Sequence, residues 1–119
     1  MAKILFINPV VREEDVPRHV PYGIALLASI AMNQGHQVQV FDQNAWRTDP
    51  ETIDEVLKAD SWDVIGLGGI TTAYNSIKSI VKQAKVICPE STIILGGGVL
   101  TSIPREIMGF LPEVKIGVI

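Results

Sequence analysis

The residues most able to do chemistry in this chain are glycines and threonines that follow two apolar runs. Residues 68–72 read Gly-Gly-Ile-Thr-Thr, and three glycines occupy residues 96–98. Because glycine has no Cβ, a large ligand can approach its backbone, whose N–H groups can bind phosphate or amide oxygens. One such segment could equally be a tight turn, and its threonines could equally cap a helix. Two of them on neighbouring strands favour a shared ligand slot.

Cysteine and histidine are too few for a structural metal site. The chain has one cysteine, Cys88, and two histidines, so neither an internal disulfide nor a four-ligand cluster can form. Cys88 is interpreted as a small apolar residue that closes a helix. His19 lies in a loop, where histidine is more often solvated than metal-bound, and His36 begins the second strand, away from the expected site. We predict no metal ligand in the chain.

Two familiar kinds of α/β site fit these residues poorly. A phosphoacceptor site needs acidic side chains after the first strand and an Asp after the third, but Asn8 and Gly68 stand there. A dinucleotide site has its glycine fingerprint after the first strand, whereas the nearest match, Gly66-x-Gly68-Gly69, follows the third. A nucleotide-binding domain and a ligand-free regulatory or interaction domain stay open as alternatives.

Short apolar runs alternate with helix-like segments along the chain. Buried parallel strands are predicted from the runs at 4–7, 38–41, 63–67, 92–95 and 115–119. Four helices are predicted between them: a well-buried one at 22–33, one after Pro50, one that Pro89 ends and one from Pro104. This alternation predicts a single α/β domain, a flavodoxin-like, doubly wound, five-stranded parallel sheet with helices on both faces.

The predicted topology decides where a ligand binds. In open parallel sheets the crevice lies outside the carboxyl ends of the strands, so the loops to consider are residues 8–22, 42–47, 68–75 and 96–101. Both glycine segments belong to this set. A sheet of this kind normally continues into a further helix after its fifth strand, so we expect the chain to be a fragment in which the fourth helix or an edge of the sheet is partly uncovered.

Composition makes some partners poor candidates. The formal net charge is −3 and the basic residues are scattered, so the field that nucleic acid requires is missing. No apolar run approaches the roughly 18 residues of a membrane span, and the first run is too short for a signal peptide. We predict a cytoplasmic protein that binds neither nucleic acid nor membrane.

Several short motifs occur in an order that is fairly specific as a set. They are Lys-Ile-Leu-Phe-Ile-Asn-Pro at 3–9, Pro-Tyr-Gly-Ile-Ala-Leu-Leu-Ala at 21–28, Gly-His-Gln-Val at 35–38, Asp-Val-Ile-Gly at 63–66, Leu-Gly-Gly-Gly at 95–98 and Pro-Arg-Glu at 104–106. With them, the whole chain resembles the N-terminal cobalamin-binding domain of cobalamin-dependent radical S-adenosylmethionine proteins. That group includes anaerobic magnesium-protoporphyrin monomethyl ester cyclases and iron-sulfur oxidoreductases.

The resemblance implies that cobalamin binds with its corrin over the carboxyl ends of the strands and its nucleotide tail in a slot beside the sheet. It implies corrin contacts from Asn8, Pro9, Pro21 and Tyr22. It places the tail near Gly68, Gly69, Thr71 and Thr72, and it implies that the slot is lined by Gly96, Gly97, Gly98 and Thr101. On this reading, Gly97→Val is expected to weaken binding more than folding.

The chain also departs from related proteins. Asp15, His19 and Gly23 do not match the Asp-x-His-x-x-Gly spacing that supplies a histidine to cobalt, so His19 is predicted not to bind cobalt. Val99 stands where related radical proteins often have a histidine. The Cys-x-x-x-Cys-x-x-Cys motif is missing, so the resemblance implies that an iron-sulfur cluster and S-adenosylmethionine belong to a C-terminal radical domain. That domain is the expected partner, and this chain is expected not to be catalytic alone.

Overall fold

The computed structural model describes residues 1–16 and 20–119 of the chain. It contains one sheet of five parallel strands in the order β2-β1-β3-β4-β5. The strands are β1 (Lys3–Asn8), β2 (Gln37–Asp42), β3 (Val64–Gly68), β4 (Thr92–Gly96) and β5 (Ile116–Gly117). This strand order is that of flavodoxin-like folds, so the predicted fold class is confirmed. β5 is shorter than predicted, since it pairs only with Ile94 and Leu95.

Helices connect the strands, and all four of the predicted helices lie where the sequence indicates them. The helical segments are α1 (Tyr22–Asn33), α2 (Gln43–Trp46), α3 (Pro50–Lys58), a 3-10 turn (Thr71–Ala73), α4 (Tyr74–Ile87), α5 (Gly98–Ser102) and α6 (Pro104–Phe110). The short α5 was not predicted, because it lies largely in the segment 96–101 that was interpreted as a loop. It forms because Gly97 turns the chain sharply and its carbonyl accepts from the N–H groups of Leu100 and Thr101. None of the helices in the described ranges is long and apolar enough to cross a membrane.

One face of the sheet forms the closed core. Successive strand side chains point to opposite faces, and on this face Leu5, Ile7, Ile65 and Leu95 are fully or almost fully buried. Helices α3 to α6 cover them with their own apolar side chains, among them Ile53, Leu57, Ile77, Ile80, Val81, Ala84, Val99, Leu100 and Ile107. A core of this size holds the sheet rigid and fixes the positions of the loops at its carboxyl edge.

The other face of the sheet is open. Its side chains, including Ile4, Phe6, Val64 and Ile94, are only half-buried although they belong to central strands. Helix α1 is the cover on this side, and it packs mainly along β2 and β1.

The prediction that α1 is well buried is wrong. Ala28 is its buried residue, at 6% exposure, while Leu27 is 53% exposed and Ile30 is 50% exposed. Its main packing partners among the described elements are the strands β2 and β1. An apolar helix therefore faces a trough instead of a filled core.

Candidate functional site

A groove of about 870 Å³ crosses the open face of the sheet. Its floor is β1, β3 and β4, one wall is α1, and the other wall is the segment after β5. From Ile4 to Asn8 the floor runs along four residues of strand, about 13 Å at the usual rise. The lining comprises Ile4, Phe6, Asn8, Pro21, Tyr22, Gly23, Ile24, Leu27, Ile30, Ala31, Gln34, His36, Val64, Gly66, Leu67, Gly68, Gly69, Ile94, Gly96, Gly97, Thr101, Val118 and Ile119.

The mouth of the groove is built from the two glycine segments at the carboxyl edge. They meet backbone to backbone, because the Val99 N–H donates to the Gly69 carbonyl at 2.8 Å. Gly97 packs against the backbone of Gly69 and has a φ of 85°. A Cβ at Gly97 would lie 2.8 Å from the Gly69 nitrogen. Glycine is thus required at Gly97 by the fold itself, before any ligand is considered.

This packing corrects one expectation drawn from the sequence. Gly97→Val was expected to weaken binding more than folding. A side chain at Gly97 would collide with main-chain atoms and would occupy a backbone conformation that is almost restricted to glycine. The substitution must therefore disturb the fold as well, so it cannot separate the two effects.

The floor of the groove has an aromatic ring at its middle. Phe6 is half-buried, and its ring lies over Gly66 on the neighbouring strand. A Cβ at Gly66 would lie 2.8 Å from Phe6 Cδ1 and 2.9 Å from Cε1. The missing side chain at Gly66 is therefore what allows the ring to lie down on the sheet.

The far end of the groove carries polar side chains. His36 and Gln34 line it at the amino edge of the sheet. The Ala2 N–H donates to Nδ1 of His36 at 2.9 Å, which leaves Nε2 as the ring nitrogen that can donate. His36 does lie at the amino edge, as the sequence indicates, but the groove extends far enough to reach it.

A polar network fixes the loop after β1 beside the mouth. Asn8 is 9% exposed and its Nδ2 donates to Asp42 Oδ1 at 2.9 Å. Asp42 Oδ1 also accepts from the Ala45 N–H and so caps α2. Farther along the loop, the Val11 N–H donates to the buried Asn44 Oδ1 at 3.0 Å. These bonds join the ends of β1 and β2.

Arg47 completes this network from the end of α2. Its guanidinium donates to the main-chain oxygens of Arg12, Glu13 and Asp15 at 2.8 to 3.1 Å, and its Nε donates to the Asn44 carbonyl at 2.7 Å. Arg47 itself adopts a left-handed backbone conformation, with φ of 50°. The Arg47 side chain thus joins residues 12–15 of the first loop to the end of α2.

Two groups with shifted pKa values, Cys88 and Asp60, lie near the amino edge of the sheet, opposite the glycine segments. Burial raises the pKa of the Cys88 thiol, which donates to the Leu57 carbonyl. The Lys3 ammonium, hydrogen-bonded to Asp60, lowers the pKa of that carboxyl. Within residues 1–16 and 20–119, no three His, Cys, Asp or Glu side chains come together as a metal site. Both of these shifted groups, Asp60 and Cys88, lie outside the lining of the groove.

The groove brings together most of the residues that the sequence singles out. Its lining includes Asn8, Pro21, Tyr22, Gly68, Gly69, Gly96, Gly97 and Thr101. Four others lie outside the lining: Pro9, Thr71, Thr72 and Gly98. Val99 is buried in the core, and His19 lies outside the described residues.

Several lining residues were not identified from the sequence. Phe6, Val64 and Ile94 belong to runs that read as buried strands, and the sequence does not show that one face stays open. Gly66 did carry a signal, because a glycine inside an apolar strand marks a place where another group approaches the backbone. Arg47, which lies outside the lining, carries no such signal, because its bonds go to a loop that is distant in sequence.

The chain matches one protein family in sequence and two solved structures in fold. The family model of the B12 binding domain matches residues 9–118. No curated protein matches the sequence. The fold resembles part of the radical S-adenosylmethionine methyltransferase TsrM from Kitasatospora setae, with a TM-score of 0.80 and 18% identity over 94% of this chain and 22% of that one.

A second solved structure has the same fold. It is the cobalamin-dependent S-adenosylmethionine radical enzyme OxsB with aqua-cobalamin and S-adenosylmethionine bound. Its TM-score is 0.73, with 20% identity over 98% of this chain and 16% of that one. The chain thus spans about a fifth of the length of these proteins.

Proposed function

The chain belongs to the B12 binding domain family, and on that basis we propose that it binds cobalamin in the groove and over its mouth. The proposal rests on one observation: the mouth and the groove form one continuous cavity. A mouth of glycine backbone, bordered by Tyr22 and Asn8, opens without interruption into a groove of about 870 Å³. The corrin would lie over the carboxyl ends of the strands, and the nucleotide tail would enter the groove.

The residues of this chain fit such a ligand for steric reasons. A Cβ at Gly96 would lie 3.6 Å from the Val118 carbonyl oxygen, on the groove side, so its absence widens the mouth. Asn8, Pro9, Pro21 and Tyr22 are proposed to border the corrin. Proposed contacts with the tail come from the two glycine loops: Gly68, Gly69, Thr71, Thr72, Gly96, Gly97, Gly98 and Thr101.

Bound cobalamin would supply a cobalt centre that can carry a transferable alkyl group. The chain's own residues would bind and orient it. Because TsrM and OxsB are several times longer than this chain, we also propose that the chain is one module of a longer radical S-adenosylmethionine protein. An iron-sulfur cluster and S-adenosylmethionine would then belong to the partner domain. The cytoplasm is the location that we propose for it.

The direct test is a titration of the purified chain with hydroxocobalamin. We expect saturable binding, with cobalamin absorption remaining in the protein fraction after desalting. FMN and NAD serve as comparison ligands, because a flavodoxin-like fold could hold either. A protein fraction that stays colourless at high protein concentration, or that binds FMN or NAD instead, would contradict the proposal.

A pair of glycine variants tests whether the groove is the site. Gly23 lines the groove in the first turn of α1, and a Cβ there meets no atom within 4 Å. Gly23→Leu should fill the groove and weaken cobalamin binding at least about tenfold, while the thermal midpoint stays level or rises because leucine favours helix. Gly109→Leu in α6 is the matched control, since a Cβ there also meets no atom within 4 Å and Gly109 does not line the groove. Equal affinities for the two variants would exclude the groove.

A further inference from the structure

The middle of the groove differs in chemistry from its two ends. Polar side chains lie at the mouth, where Asn8 and Tyr22 stand, and at the far end with Gln34 and His36. Between them the described lining residues have apolar side chains, among them Phe6, Ile24, Leu27, Val64 and Ile94. The strands that form the floor are paired with each other in a parallel ladder. A polar ligand atom at the middle therefore meets no side chain that can bind it.

Phe6 gives this apolar stretch a flat aromatic surface. Its ring lies over Gly66 at the centre of the sheet and is half open to the groove. Ile94, two strands away from Phe6, and Leu27 on α1 line the same stretch. A flat, apolar ring of two fused cycles is the ligand group that would satisfy these surfaces.

We infer that the groove selects cobamides by their lower base and favours benzimidazole-type bases over adenine, with Phe6 and Gly66 as specificity-determining residues. The inference rests on the proposed function and deepens it. A dimethylbenzimidazole would place its carbon edge against the apolar walls and a ring face against Phe6. Adenine would bring an exocyclic amine into a stretch where it has no partner, and an unpaired buried donor is unfavourable.

The test compares three corrinoids that share the same ring. Cobalamin carries dimethylbenzimidazole, its adenine analogue carries adenine, and cobinamide lacks the nucleotide. Each is titrated in the dicyano form, in which no base is bound to cobalt, so that affinity differences report contacts with the protein. We expect the adenine analogue and cobinamide each to bind about tenfold or more weakly than cobalamin, a difference of about 1.4 kcal/mol or more.

Protein variants assign the preference to the floor of the groove. Phe6→Leu keeps an apolar side chain but removes the ring, and Gly66→Ala forces the ring to move, because the new Cβ would lie 2.8 Å from it. Each should lower cobalamin affinity several-fold and leave cobinamide affinity unchanged. Phe110→Leu is the matched control, since Phe110 is exposed on α6 and does not line the groove. It should change neither affinity.

Each outcome decides between the inference and the proposed function. Equal binding of cobalamin and cobinamide would overturn the inference and leave corrin binding intact. Equal binding of the two nucleotide-bearing corrinoids, both tighter than cobinamide, would overturn the choice of base. If Phe6→Leu lowered the affinities for cobalamin and cobinamide equally, Phe6 would support the structure of the site and would not select the lower base. Absence of binding by all three would defeat the proposed function itself. The wild-type series decides the choice of base even if a variant fails to fold.

Discussion

Gly97 has the most demanding backbone position in the described chain. Its φ of 85° with ψ of −178° lies in a region that only glycine occupies readily. Gly97→Ala should therefore lower the free energy of unfolding by about 1–3 kcal/mol, measured by urea denaturation. Gly98→Ala is the control one residue away. Its Cβ would have Ile70 Cγ2 as nearest neighbour at 3.7 Å, an ordinary contact. Similar losses for both variants would contradict this interpretation.

The sequence identifies individual residues of the candidate site unevenly. It indicates Gly68 and Gly96, because glycines after apolar runs in an α/β pattern lie at the carboxyl edge of the sheet. It does not distinguish Gly97, which the backbone requires, from Gly96, whose Cβ would point toward the groove wall. That difference depends on φ and on the position of Gly69, and neither can be read from a row of three glycines.

Arg47 joins the loop after β1 to the end of α2, and replacing it should loosen that loop. Arg47→Lys keeps the positive charge but loses the planar fork that reaches the carbonyls of Arg12, Glu13 and Asp15. Losing these exposed bonds should favour local opening by about 1 kcal/mol. Tryptic cleavage after Arg12 should then be about five times faster, measured by mass spectrometry.

The control for this experiment is Arg105→Lys on α6, an exposed arginine outside the network. It should leave cleavage after Arg12 unchanged. The lost bonds hold only the first loop, so the thermal midpoint of the whole domain should fall little in either variant. A cleavage rate in Arg47→Lys that equals the wild-type rate would show that the loop is held by Asn44 and Ser76 without help from Arg47.

At the scale of elements the sequence predicts the fold well, for a physical reason. The bounds of α1 and the first four strands follow from local apolar patterns and from prolines such as Pro50 and Pro89. The burial of α1 could not be predicted in the same way. An apolar helix is normally a covered helix, and nothing within residues 22–33 shows that Leu27 and Ile30 face an open trough.

The contrast between the two faces of the sheet predicts where exchange of backbone hydrogens will change. Helix α4 has four buried apolar residues, whereas α1 has one, so α1 amides should exchange faster in the free protein. Saturating cobalamin should slow exchange in α1 at times shorter than global unfolding and leave α4 nearly unchanged. Hydrogen exchange with mass spectrometry measures both helices at once. Slowing confined to α4, or shared equally by both, would place the ligand elsewhere.

The central position of β1 also has a consequence for synthesis on the ribosome. β1 pairs with β3 across sixty residues of sequence, since Ile4 lies opposite Val64 in the parallel ladder. At typical translation rates about 3–12 s pass between the emergence of these two strands. Until then β1 has only β2 beside it, and one of its edges offers unpaired main-chain groups to other chains. The nascent chain thus carries an unpaired edge of β1 until residue 68 has emerged from the ribosome, and binding by a chaperone in that interval would protect it from aggregation.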